Sequence, residues 1–146
     1  MMTINFAALE DMIRINERAP EIEMSGWINK CGTHGCLCGN YALVRREFLC
    51  GHSGIASINL QEHLGITDGE FMWLFTSNPL RQDCNAPPYV FSRRSVPAAA
   101  LSGPDALARL KKFVAYKKEK ASVSLERGRQ ISGLMTCHKL SQALSA

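Results

Sequence analysis

Apolar residues recur at helical spacing in several separate stretches of the chain, and turn-forming residues lie between these stretches. In the first stretch Phe6, Leu9 and Met12 lie three residues apart, and Pro20 ends the pattern. Stretches of the same kind occupy residues 35–48, 56–64, 68–76 and 104–120. The pattern therefore predicts five helices, the first of them at residues 5–18.

Two of these predicted helices have recognisable ends. Gly65 directly follows residues 56–64, and glycine is the residue that most often stops a helix in the left-handed conformation. Thr67 and Glu70 stand three positions apart, the spacing at which each side chain can bond the backbone N–H of the other. This capping box predicts that the next helix begins at about residue 68.

Residues 76–103 are not predicted to form a long helix, because the segment contains four prolines, Pro79, Pro87, Pro88 and Pro97. The segment "YVFSRR" within it suits a short strand or hairpin. Beyond Lys120 the helical pattern fades, with only a weak pattern at residues 131–144. We predict a mainly α-helical single compact domain over residues 1–146, with a helical core at 1–120, a long Pro-rich loop and a C-terminal extension at 121–146 that could also be helical.

The composition supports a folded protein of ordinary type. The chain has 146 residues, 46% hydrophobic and 21% charged, which are average values for a globular domain. Glu10 and Asp11 interrupt the N-terminal stretch where a secretory signal needs apolar residues, and no run approaches the roughly 18 apolar residues of a membrane span. We therefore expect a cytoplasmic protein with reduced cysteines and no membrane partner.

The segment "KCGTHGCLCGNYAL" concentrates the residues that could carry chemistry. A zinc site could draw on four ligands, although the spacing lacks the paired C-x2-4-C turns of structural zinc sites. If residues 35–44 are helical, Cys36 and Cys38 point about 200° apart, so one ion could hardly bind both. No cofactor is expected, with zinc as the alternative; its best ligands would be Cys31, Cys36, Cys50 and His52.

Two other interpretations of this segment remain open. In the first, Cys36 lies in the first turn of a helix, where backbone N–H groups favour the thiolate, and His34 accepts its proton, as in a thiol enzyme. In the second, Thr33 or Gly35 caps the helix and the cysteines are small buried apolar residues. The structural interpretation needs the fewest assumptions, so an enzyme is the less favoured one.

The chain also resembles a loose group of small bacterial and phage proteins that share a "CGTxxCxAGxA" motif and have no settled activity. The matching segments here are "IEMSGW", "CGTHGCLCGNYA" and "LGITDGEFMWLF", which cover about the first half of the chain. Cys31 and Cys36 belong to the shared motif, whereas Cys38 and Asn40 stand where it has Ala and often His. The resemblance implies kinship and a phage-like context, and it implies no mechanism.

Positive charge is concentrated near the C-terminus. The net charge is +4, and residues 109–129 hold eight Lys or Arg against two Glu. Such a run can bind phosphates or an acidic protein surface. We therefore expect a small non-enzymatic accessory protein, phage- or mobile-element-like, that uses basic residues to bind a host protein or protein–nucleic-acid complex, for example as an inhibitor of a nucleic-acid-handling or defence complex. The alternative is a zinc-stabilised module that binds nucleic acid directly. The expected binding residues are Arg93, Arg94, Lys111, Lys112, Lys117 and Lys118.

Overall fold

A computed structural model describes residues 3–29, 32–51, 54–76 and 97–144 of the protein, with side chains described up to residue 133. Within these ranges the protein is mainly α-helical, as predicted. The helices are α1 (Phe6–Arg18), α2 (Leu37–Val44), α3 (Ser57–Leu64), α4 (Asp68–Phe75) and α5 (Gly103–Leu144), with short 3-10 turns at Arg46–Phe48 and Ala98–Ala100 and a hairpin of β1 (Leu49–Cys50) and β2 (Gly54–Ile55).

The chain divides into two compact units, Met1–Lys112 and Phe113–Ala146. The prediction of a single domain with a boundary near residue 120 stays a prediction. The predicted strand "YVFSRR" and most of the Pro-rich loop lie outside the described residues. None of the described helices is apolar enough over a sufficient length to cross a membrane.

In the first unit α1 packs against α2 and α3 with one apolar face. Asn5 caps this helix, since its side-chain oxygen accepts the Ala8 N–H at 3.1 Å. The buried residues Leu9, Met12 and Asn16 follow at intervals of three and four, which places them on one side of the helix. The predicted helix at 5–18 is therefore confirmed to within one residue.

The predicted helix at 35–48 is shorter in the structure. It begins at Leu37 and ends at Val44, because Arg45 leaves the helical conformation with φ −94° and ψ 78°. The 3-10 turn follows, and then β1 pairs with β2 antiparallel, with Leu49 opposite Ile55. Gly51, with φ 68°, lies in the turn of this hairpin.

The two helices with predicted ends are confirmed. Gly65 has φ 66° and closes α3 by donating its N–H to the carbonyls of Gln61 and Glu62. Thr67 Oγ1 accepts the Glu70 N–H at 3.2 Å, and Glu70 Oε2 accepts the Thr67 N–H at 3.0 Å. Both hydrogen bonds of the capping box are therefore present.

The helix predicted at 104–120 is longer in the structure, where α5 runs from Gly103 to Leu144 and includes most of the C-terminal extension. The prediction relied on a buried stripe, which is absent here, as all described side chains of residues 118–133 except Ala121 are exposed. Contacts one turn apart support the helix just before this stretch. Examples are the Lys117 ammonium 5.6 Å from the Phe113 ring centre and that of Lys120 5.5 Å from Tyr116.

Candidate functional site

The chain before α2 forms a compact turn around the side chain of Asn29. Asn29 Oδ1 accepts the Thr33 N–H at 3.0 Å, while the Asn29 carbonyl accepts the Gly32 N–H at 2.9 Å. Gly32 has φ 69°, a conformation that side chains other than glycine seldom adopt. An isolated bridge between Ile28 and Gly35 closes the turn. The described part of "CGTHGC" is thus a Gly-rich turn that leads into a helix.

Residues 19–28 connect α1 to this turn and are called the connector below. Two glycines let the connector lie directly against α2. A Cβ atom at Gly35 or at Gly39 would overlap the carbonyl group of Trp27. That carbonyl also accepts the Cys36 N–H at 3.2 Å. Glycine is therefore required at positions 35 and 39, because the main chain of Trp27 occupies the space that a side chain would need.

Two asparagines tie α1, the connector and the turn together in the protein interior. Asn40 Nδ2 donates to Asn16 Oδ1 at 3.1 Å and to the Glu21 carbonyl at 3.0 Å, and its Oδ1 accepts the Gly35 N–H at 2.7 Å. Asn16 Nδ2 donates to the carbonyls of Met12 and Leu37 at 2.9 and 3.0 Å. Both side chains are buried, and these bonds satisfy their amide groups. Sequence reasoning missed this pair, because nothing local marks two asparagines 24 positions apart as neighbours.

Cys36 is the N-cap of α2, which corrects both the prediction that it lies in the first helical turn and the prediction that Thr33 or Gly35 caps the helix. Its backbone is extended, with ψ −179°, and its Sγ accepts the Gly39 N–H at 3.4 Å. A cap residue points its side chain back at the first turn, where unpaired N–H groups lie. A sulfur atom therefore takes the position in which serine or aspartate is usual.

The separation of Cys36 and Cys38 predicted from the sequence does not apply to the structure. The expected separation of about 200° assumed that Cys36 was helical, and its extended backbone removes that assumption. A hydrogen bond from the Cys38 thiol lowers the pKa of Cys36, although burial acts in the opposite direction. Burial raises the pKa of Cys38 well above its ordinary value. Of the pair, Cys36 is therefore the better thiolate.

Cys36 also lines a cavity of about 220 Å³. Met24, Trp27 and Phe75 form apolar walls of this cavity, and Ser25 and Thr76 add hydroxyl groups. The exposed fraction of Cys36 is only 1%, so a reagent would reach its sulfur through this cavity or through an opening motion of the surrounding chain. The site therefore combines a stabilised Cys36 thiolate with limited access for reagents from solvent.

His34 does not meet Cys36 within the described part of the chain. Its Nδ1 lies 3.0 Å from Asn29 Nδ2, and its Nε2 lies 3.3 Å from a carboxylate oxygen of Glu21 and of Glu23. With Nε2 donating to the carboxylates and Nδ1 accepting from Asn29, both ring nitrogens have partners. His34 joins the turn to the connector, and its role as the base of a thiol enzyme stays a prediction.

The proposed zinc ligands are only partly described. Cys36 is buried and Cys50 is exposed on β1, whereas Cys31 and His52 lie outside the described residues. Over the ranges that the structure describes, no group of three or more His, Cys, Asp or Glu side chains could hold a metal ion. The zinc interpretation with this quartet stays a prediction.

The predicted basic residues have different surroundings. In the first unit Lys111 forms an ion pair with Glu17 at 2.7 Å, and Lys112 is exposed. In the second unit Lys117 lies over the Phe113 ring and Lys118 is exposed. Arg93 and Arg94 lie outside the described residues.

Arg109, which begins the basic run, faces the interior of the first unit. Its guanidinium lies 4.7 Å from the Trp73 ring centre and donates to the Trp73 carbonyl at 3.1 Å. Partial burial lowers the pKa of Arg109. A charged residue that packs on tryptophan in this way acts in the fold, so the surface charge of the run begins after it.

Comparison with protein-family models, curated proteins and solved structures found no match to this chain. The resemblance of the "CGTHGC" segment to small bacterial and phage proteins therefore stays an expectation from the sequence.

Proposed function

We propose that this protein is a non-enzymatic accessory protein, of phage or mobile-element type, that binds an acidic host macromolecule in the cytoplasm through the second half of its basic helix. The observation that supports the proposal is the exposure of residues 118–133 of α5. A helix in a folded protein normally gains most of its stability by packing an apolar face, and these residues have no such face within their unit.

The side chains on this exposed stretch suit a charged partner with some apolar surface. Residues 113–133 carry five Lys or Arg against two Glu. Three apolar side chains, Val123, Leu125 and Ile131, are 43%, 67% and 60% exposed. Positive charge favours encounter with an acidic surface, and burial of the apolar side chains would then stabilise the complex. A host protein or protein–nucleic-acid complex is the expected partner.

Charge reversal with site-specific crosslinking tests this proposal. A photo-crosslinking residue at Ser124, on the exposed stretch, should capture a defined partner in cells, and the same residue at Asn59 on the exposed side of α3 is the matched control. Changing Lys118, Arg127 and Arg129 together to Glu should keep the circular dichroism spectrum and abolish capture. Equal capture by the reversed variant, or from Asn59, would contradict the proposal. Lys111, Lys112, Lys117 and Lys118 are the lysines predicted to bind. Changing all four to Glu should also keep the fold and abolish capture.

A 20-base-pair DNA duplex separates protein binding from direct binding of nucleic acid. If the partner is nucleic acid alone, the purified protein should bind the duplex with strong salt dependence, and the charge-reversed variant should not. Absence of binding at low salt, together with capture in cells, favours a protein partner.

The bonds at Cys36 favour a second candidate function, which is thiol chemistry. A hydrogen bond from Cys38 and one from the Gly39 N–H stabilise the Cys36 thiolate, and the cavity beside it could admit a small apolar electrophile. In alkylation by iodoacetamide the thiolate sulfur forms a bond to carbon and iodide leaves, so the rate follows the thiolate fraction.

The pH dependence of this alkylation tests the second candidate. Changing Cys38 to Ala removes the hydrogen bond that lowers the pKa of Cys36, so the midpoint of the rate profile for Cys36 should move to higher pH. The matched change of the exposed Cys50 to Ala should leave the profile unchanged. Mass spectrometry of peptides assigns the modified residue. A profile that does not move in Cys38→Ala would contradict this role for the pair.

A further inference from the structure

A separate cavity of the first unit lies beside the C-terminal end of α1 and one side of α2. Its volume is about 350 Å³, which falls near the lower end of the roughly 300–1,000 Å³ typical of small-molecule sites. Most of its lining is apolar and comes from Ile15, Ala19, Pro20, Leu43 and Val44. Pockets with mainly apolar walls and a few polar groups are the usual form of a ligand site.

Arg18 supplies the positive charge of this cavity. It lies in the last turn of α1, where the helix dipole favours a cation. Its acidic neighbours in the sequence already have other partners, since Glu17 pairs with Lys111 at 2.7 Å and Glu21 lies 3.3 Å from His34. Within the described ranges, Arg18 has no ion-pair partner. A guanidinium can donate two parallel hydrogen bonds to a carboxylate, so this group can accept an anionic ligand.

Two other polar side chains, Thr33 and Asn40, line the cavity, and both have partners within the protein. Asn40 already bonds Asn16 Oδ1, the Glu21 carbonyl and the Gly35 N–H. At the outer edge Val44 is 57% exposed, a large apolar side chain that a ligand could cover. A bound molecule would therefore place its charged group at Arg18 and its apolar part against Leu43 and Val44.

We propose that this cavity binds a small carboxylate with an apolar body, such as a medium-chain alkanoate. The carboxylate accepts hydrogen bonds from the Arg18 guanidinium, and the chain covers the apolar wall between Pro20 and Val44. The site lies on the first unit and uses none of the residues of the partner-binding helix, so the two proposals can fail independently.

Titration of the labelled full-length protein with octanoate, followed by amide NMR, tests this proposal. Saturable shifts are expected at Ala19, Leu43 and Val44. In Arg18→Gln the dissociation constant for octanoate should rise at least about tenfold, because a charge-assisted bond is lost. The matched control is Arg14→Gln on the same helix; this arginine pairs with Asp11 at 3.5 Å and lies outside the cavity lining. Its octanoate affinity should be unchanged.

Two further measurements keep the proposal open to refutation. 1-Octanol has the same chain without the charge, so it should bind the native protein more weakly than octanoate and should bind Arg18→Gln as it binds the native protein. Val44→Glu changes an exposed side chain, which should preserve the fold, and it should weaken octanoate binding by repulsion. No saturable octanoate binding to the folded protein, equal weakening in Arg14→Gln, or octanol binding as tight as octanoate would overturn the proposal.

Discussion

The chain around α2 and the exposed stretch of α5 are stabilised in opposite ways. Around α2, buried amides of Asn16 and Asn40 bond main-chain groups from four segments, and Gly39 lets the backbone of the connector approach the helix. Along residues 118–133, nearly every side chain faces solvent, so the helix depends mainly on its own backbone hydrogen bonds. A single substitution should therefore have large effects in the first region and small effects in the second.

This difference also separates fold from binding. The buried bonds around α2 fix one arrangement of the chain, because each unpaired polar group would cost free energy. In the exposed stretch, residues 118–133, charged side chains and the apolar side chains of Val123, Leu125 and Ile131 face solvent. The stability of the fold therefore depends mainly on the first region, and the proposed binding function depends on the second.

The largest effect should follow from Gly39→Ala. The new Cβ would overlap the Trp27 carbonyl, which is main chain and cannot rotate away, so the free energy of unfolding should fall by about 3 kcal/mol or more. Urea denaturation followed by tryptophan fluorescence measures the change. A stability within 1 kcal/mol of the native protein would show that the connector adapts easily, which would contradict the close packing described here.

A smaller loss should follow from Asn40→Ala. This change removes the partners of the Gly35 N–H, the Glu21 carbonyl and Asn16 Oδ1, and we expect a loss of about 2 kcal/mol. Asn59→Ala, at an exposed position of α3, is the matched control and should stay within about 0.5 kcal/mol. In the double variant Asn16→Ala with Asn40→Ala, the losses should not add, because the two residues share a hydrogen bond. Strict additivity would show that they act separately.

The same change of glycine to alanine should have the opposite sign in α5. Nothing lies within 4 Å of a Cβ atom at Gly128, and alanine favours a helix over glycine by roughly 0.5–1 kcal/mol. Circular dichroism of Gly128→Ala should show increased helicity of the chain near this residue, most clearly on heating. A decrease would indicate that Gly128 has a role in packing that its exposed position does not suggest.

The smallest effect should come from a surface ion pair. Lys111 and Glu17 are about half exposed, and such pairs contribute roughly 0–1 kcal/mol, so Glu17→Gln should change the free energy of unfolding by no more than about 0.5 kcal/mol. Denaturation at low and high salt measures the change. A loss above 1 kcal/mol would show that this contact is an essential part of the first unit.

The sequence predicted the helices that bury a stripe and that have recognisable ends. Apolar residues around Leu9 repeat at helical spacing and predict α1. Gly65 marks the end of α3, and the Thr67–Glu70 pair marks the start of α4. The bounds of these three helices were therefore predicted within about two residues. The length of α5 was missed, because a helix without a buried stripe lacks the periodic signal. Propensity alone predicts such a helix poorly, since it is weak at each residue.

The candidate site was predicted less well, because its geometry depends on contacts between distant segments. Spacing identified Cys36 as the cysteine nearest a helix start, but it could not show that the residue is extended and acts as the cap. That one backbone conformation removes the basis for the expected separation from Cys38. The partners of His34 come from Glu21 and Glu23 on the connector, and no local pattern relates these residues.

Hydrogen–deuterium exchange of the free protein tests the contrast between the two regions most directly. We expect strong protection of amide groups in α1 and α2, and exchange of residues 118–133 that is faster by orders of magnitude, because all described side chains of this stretch except Ala121 are exposed. Addition of the captured partner should then protect residues 118–133 selectively. Protection of these residues equal to that of Leu37–Val44 in the free protein would contradict the contrast between the two regions.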